Sequence, residues 1–163
     1  YAWVMTLIFY RYMFLRLSAG DLTPPYWINM GAMAISTLAG ALLVLNAAEA
    51  PFLHSILPFL KGATVLYWAT GTWWIPLLVL LGVWRHLWKR HPLRYDISYW
   101  SIVFPLGMYA VGTQEMERAL DLDFLDVVPA AFLAVALLGW TLAFAGLVHR
   151  VVKDAVLRRL DQA

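Results

Sequence analysis

Apolar residues run in long blocks along this chain, and short polar clusters cut it between them. Five blocks approach the roughly 17–25 residues that a bilayer-spanning helix needs: about 1–17, 27–45, 62–85, 97–114 and 127–148. Between the first two lies a polar turn that ends in Pro24-Pro25. Paired prolines preset the backbone and suit the start of a helix better than its interior. The linker 46–61 carries Pro51 and Pro58 and is too interrupted to span, so the pattern predicts an interfacial loop with a turn or two of helix. Tyr67 and Trp68 near one end of the third block, and Trp84 and Trp88 near the other, predict aromatic belts at the two interfaces. The second and fourth blocks are each followed by a longer, more apolar one, which predicts two successive helical hairpins. The fold class is therefore an all-α integral membrane protein, one transmembrane domain over 1–163 with about five spanning helices.

Composition agrees. The chain is 63% hydrophobic and 13% charged, against about 25% charged residues in a soluble domain. With no cysteine, no disulfide or thiolate site can be drawn. The chain opens on Tyr1, inside an apolar stretch that lacks a basic flank, so it reads as a fragment beginning within a helix rather than as a signal peptide. Charge placement sets the orientation. If the end of the first block faces the cytoplasm, Arg11, Arg16, Arg85, Lys89, Arg90, Arg94, Arg150, Lys153, Arg158 and Arg159 all fall inside, and only Lys61 and Arg118 fall outside. That is a positive-inside bias over short loops. It predicts a multi-pass protein of the inner or plasma membrane with a cytoplasmic carboxyl terminus. Residues 150–159 read as an amphipathic tail at the anionic inner leaflet.

Candidate chemistry centres on 100–110. Pro105 lacks an N–H, so the carbonyl of Ser101 loses its helical partner and a kink is expected. In hydrocarbon a freed carbonyl must be satisfied by protein or water, so a bend beside a wet path is physically sensible. Phe104, Met108 and Val111 share a face, and Phe104 would sit where such a path narrows. Ordinary packing on a bent helix explains the same spacing, and on spacing alone it is the simpler account. In the second block Ala32, Ser36 and Gly40 recur every four residues, with Gly31 beside them. Such a stripe serves close helix packing or the wall of a pore. The interiors of the later blocks carry no acidic or basic residue, which argues against a proton-relay pump. A path without such charges suits anions carried past helix dipoles and polar backbone. His86 and His149 fall at similar depth but beside arginines at helix ends, a poor setting for haem ligation. His91, Lys89, Arg90 and Arg94 could draw an anion to the inner mouth. No phosphate loop, nucleophile elbow, zinc spacing or catalytic carboxylate pair is present. No enzyme activity, cofactor, metal or nucleic-acid partner is expected.

Two stretches, Asp21-Leu22-Thr23-Pro24-Pro25-Tyr26-Trp27-Ile28-Asn29-Met30-Gly31-Ala32 and Tyr99-Trp100-Ser101-Ile102-Val103-Phe104-Pro105-Leu106, carry a resemblance. The chain resembles the tellurite-resistance/C4-dicarboxylate transporter family, which includes TehA proteins, fungal malate and sulfite transporters and plant slow-type anion channels. The likeness corresponds to the carboxyl-terminal half of that family. It implies ten helices in five hairpins about a pseudo-fivefold axis, inner helices lining a pore, and a homotrimer with one pore per subunit. The second and fourth blocks would be inner helices. Phe104, beside Pro105, would match the phenylalanine that plugs the pore, with Ser101, Met108, Gly31, Ala32, Ser36 and Gly40 near the path. The partners implied are the lipid bilayer and a small anion such as a C4-dicarboxylate, sulfite or an inorganic anion. The alternatives are an assembly subunit without transport activity and, behind it, a haem-binding membrane enzyme.

Overall fold

A computed structural model describes residues 2–16, 18–93 and 95–160. Arg94 lies outside the described residues, as do the side chains of Arg158 and Arg159. Regular structure among the described residues is helical: α1 (Ala2–Phe14), α2 (Ile28–Leu45), the short α3 (Pro51–Ser55), α4 (Leu57–Val83), α5 (Trp100–Leu120) and α6 (Val127–Leu160). Three helical segments are long and apolar enough to cross a membrane, Pro24–Leu45, Leu57–Trp88 and Asp123–Ala155. The fold is that of an all-α membrane protein.

Several prolines start helices, whereas Pro76 and Pro105 lie inside α4 and α5. Pro24 and Pro25 form a 3-10 turn that runs directly into α2, and Pro51 starts α3. Pro58 falls in the first turn of α4, so that helix begins at Leu57 instead of near residue 62. The first turn has spare N–H groups, and a missing one costs nothing there. α5 ends on Asp121, whose φ of 55° is left-handed. α6 continues through the basic tail as one helix of 34 residues. At 1.5 Å per residue that is about 51 Å, well beyond a hydrocarbon core of about 30 Å.

Contacts between helices fix the topology. Gly31 of α2 lies against Pro105 of α5, and Gly112 of α5 lies against Ala34 and Leu38 of α2. Residue numbers rise together on both helices, so α2 and α5 are parallel. Gly40 meets Thr64, and Gly71 meets Met33; here the numbers run oppositely, so α2 and α4 form an antiparallel hairpin. Tyr109 meets Phe132 in a tilted ring contact with centroids 4.5 Å apart, and Val103 approaches Gly139, which makes α5 and α6 a second antiparallel hairpin. α1 leans on α4, with Phe9 5.0 Å from the Trp74 ring, and Arg11 pairs with Asp21 at 3.1 Å. The core holds Met30, Ala34, Trp74, Leu78, Leu106 and Tyr109.

Small residues are needed where helices come this close. A Cβ on Gly112 would stand 2.8 Å from the Ala34 carbonyl oxygen, which is backbone and cannot yield. Gly112→Ala should therefore destabilise the protein by about 1–3 kcal/mol, the usual range for overpacking. Gly62, on α4, has nothing within 4 Å of its would-be Cβ. Gly62→Ala should be neutral or stabilising by up to about 1 kcal/mol. Unfolding in mixed detergent, followed by circular dichroism, compares the two.

Candidate functional site

The α2–α5 pair has a closed side and an open one. Met33, Thr37 and Ala41 of α2 are buried, whereas Ile28, Ile35, Ala39 and Leu42 are exposed and Ala32 is half-buried. These last five recur at helical spacing and form one stripe, turned away from the α4 and α5 contacts. On α5, Pro105, Leu106, Tyr109, Gly112, Thr113 and Met116 are buried. Phe104, Val111, Gln114 and Arg118 are exposed and Gly107 is half-buried, again one stripe. Because α2 and α5 are parallel and α4 and α6 cover their other faces, both stripes open on the same side. No charge interrupts either stripe until Arg118, which pairs with Glu115 at 3.0 Å near the end of α5.

Phe104 is 58% exposed. Its neighbour Pro105 is fully buried, with its ring filling the notch that Gly31 leaves. Successive helical residues are about 100° apart around the axis, so seating Pro105 against α2 turns Phe104 onto the open face. α5 stays helical through Pro105. Ser101 and Met108 are half-buried, and Met108 packs against the main core. The small-residue stripe divides between two roles. Gly31 and Gly40 are contact points against Pro105 and Thr64. Ala32 and Ser36 border the open face, with the Ser36 hydroxyl donating to the Ala32 carbonyl at 3.0 Å.

Behind the open face, hydroxyls and rings tie α4 to α5. Trp68 Nε1 donates to Thr113 Oγ1 at 3.0 Å, and Thr113 Oγ1 donates to the Tyr109 carbonyl at 2.7 Å. The Tyr109 hydroxyl shares a hydrogen bond of 2.7 Å with Thr72 Oγ1. Trp68 lies nearly parallel to Tyr109, with interplanar angle 17°. Trp68, expected in an interfacial belt, is half-buried and tied to α5. Trp68 and Thr72 lie one turn apart on α4, a spacing that puts them on one face but does not name the partner helix.

Residues 1–148 match the family model of the voltage-dependent anion channel. The chain belongs to the voltage-dependent anion channel family. The transporter-family resemblance read from the two motifs is thereby borne out. The chain is 42% identical to an uncharacterized membrane protein of Mycobacterium tuberculosis, over 93% of this chain and 76% of that protein. It is 22% identical to an uncharacterized transporter of Methanocaldococcus jannaschii, over 97% of this chain and 44% of that protein. A sulfite efflux pump of Trichophyton rubrum is 26% identical over 61% of this chain and 26% of its own length. No solved structure matches.

In this member of the anion channel family, the described residues hold no group of three or more His, Asp or Glu side chains arranged for a metal ion. His86 Nδ1 lies 3.0 Å from the His91 carbonyl oxygen. At the basic end, Asp96 caps the turn that leads into α5. Hydrogen bonds from Ser98 hold its carboxyl below the usual range. The same effect, from Ser18, lowers Asp21.

The Tyr109–Thr72 bond is a direct measure of the tie between hairpins. Interhelical hydrogen bonds in membranes average about 0.6 kcal/mol and reach about 1.7. Tyr109→Phe and Thr72→Val should each cost an amount in that range, and the double variant should cost less than their sum. A double-mutant cycle on unfolding in detergent reads the coupling; strictly additive losses would dismiss the bond.

Proposed function

We propose that α2 and α5 form part of the wall of an anion-conducting path, and that the Phe104 ring obstructs it. The observation that carries this reading is the geometry of the pair: two parallel helices, each with an uncharged stripe, open on the same side, and Phe104 stands on it. Ala32 and Ser36 give that face its small-residue floor. An unpaired acidic side chain would repel an anion, and neither stripe has one. The Ser101 carbonyl, deprived of its helical donor by Pro105, gives the backbone a polar site on the turn that carries Phe104. α5 runs beside α2 from Gly31–Pro105 to Leu38–Gly112. We therefore take α5, and with it α1, to cross the membrane too, giving five crossings with the carboxyl terminus cytoplasmic in the inner or plasma membrane.

The rest of the conduit comes from further helices that cover the open face, in a pseudo-fivefold ring and a homotrimer. Among family substrates the relative named as a sulfite efflux pump supports a small oxyanion; C4-dicarboxylates such as malate and the anions behind tellurite resistance are the other classes to test. The contacts of Gly31 and Gly40 favour one second reading, an assembly subunit whose small residues serve only packing.

Phe104→Ala in the protein reconstituted into liposomes should raise passive flux of chloride or sulfite by about tenfold, the effect of lowering a barrier by about 1.4 kcal/mol. Wild-type and variant rates that coincide would remove Phe104 from the gate. Liposomes in which neither protein passes any anion would favour the assembly reading.

A further inference from the structure

The way α4 ends brings two basic side chains together. Residues Trp84–Trp88 form a π-helical turn, in which the Lys89 N–H donates to the Trp84 carbonyl at 2.9 Å. Arg90 then takes a left-handed φ of 50°. The chain doubles back, and the His91 N–H donates to the Arg85 carbonyl at 3.1 Å. Arg85 and His91 thereby line one cavity of about 430 Å³, with Thr23, Ser98 and Tyr99 supplying hydroxyls. Arg85 Nε and His91 Nδ1 are sealed from solvent and have no hydrogen-bond partner. Arg85 also makes no ion pair among the described residues. Asp96 stands on the rim of this cavity, exposed, with its carboxylate engaged by the Ser98 N–H at 2.7 Å.

A second cavity of about 300 Å³ adjoins the first and shares Thr23, Pro24, Arg85 and Tyr99 with it. Its character is different: Leu22, Trp27, Leu78, Gly82 and Ile102 make it largely apolar, with Arg85 and His86 as its basic lining residues. It lies where the start of α2, the end of α4 and the start of α5 meet, on the back of the pair, away from the Phe104 face.

We infer that these joined cavities bind an anionic phospholipid, its phosphate headgroup on Arg85 and His91 and an acyl chain in the apolar chamber. A free inorganic anion would use the polar cavity and leave the apolar one without purpose. A zwitterionic lipid carries its own cation beside the phosphate and so compensates the guanidinium less than an anionic one does. Basic pockets between helices at the cytoplasmic boundary suit such headgroups, and a guanidinium matches a phosphate in shape as well as charge. The site is independent of conduction, since it faces away from the proposed path.

The test uses the full chain purified in a neutral detergent. Phosphatidylglycerol should raise the unfolding temperature by several degrees over the same amount of phosphatidylcholine. Arg85→Gln should lose that increment, and Arg118→Gln, at the opposite end, should keep it. Lipid retained by the wild-type protein after detergent washing, read by native mass spectrometry, needs no variant and should favour phosphatidylglycerol several-fold. Equal retention of the two lipids, or an undiminished shift in Arg85→Gln, would overturn the proposal. So would inorganic phosphate that reproduces the whole shift without lipid, since the pocket would then hold a free anion.

Discussion

The close approach of α2 and α5 governs this structure. A backbone carbonyl, that of Ala34, stands where any side chain on Gly112 would have to go. About two turns away along α5, the Pro105 ring occupies the space that Gly31 leaves free. Each contact is a bump set into a gap, so together they fix both the spacing and the register of the two helices. Rotating either helix would drive a side chain into backbone. In lipid, where apolar surface gains little by leaving one apolar medium for another, van der Waals fit of this kind is what selects a packing.

Everything on the two sides of that contact follows from it. With the register fixed, Pro105 points into the contact and Phe104 cannot. Tyr109 and Thr113, one and two turns on, are directed to the back, where Thr72 and Trp68 of α4 meet them. Their hydroxyls and indole satisfy one another, and Thr37 and Thr64 bond to carbonyls of their own helices. An unsatisfied polar group in hydrocarbon costs several kcal/mol, so such groups are affordable only as closed sets. The back of the pair is consequently tied and filled. The front holds none of these bonds and stays open.

The two hairpins place like ends together. The starts of α2 and α5 lie at one end with the termination of α4, and the basic residues of the 85–91 turn gather there. The same end collects the positive poles of the two inner helix dipoles. One end therefore carries both fixed positive charge and the positive ends of the helix dipoles, while the stripe beyond it is neutral. The acidic loop after α5 sits at the opposite end, with Glu117 and Asp126 close enough that hydrogen bonding between them raises the Glu117 carboxyl.

Much of this was legible from residues alone. Block lengths announced membrane helices, the two motifs announced the family, and Pro105 stood out as the residue that packs into the α2–α5 contact. Periodicity also fixed which residues share a face, because 3.6 residues per turn is a property of the helix itself. What periodicity could not supply was the azimuth of each helix. In a chain that is apolar all round, a stripe facing lipid, a partner or a pore is written in the same residues. Hence Gly31, Ala32, Ser36 and Gly40 looked like one set, and only their neighbours separated the two glycines in contact from the pair bordering the open face. Trp68 bonds to Thr113 on a different helix, and Arg85 and His91 meet only because the backbone reverses at Arg90. Sequence determined the helices and the order of residues around each; tertiary structure decided which way every helix is turned, since that depends on steric fit between surfaces far apart in the chain.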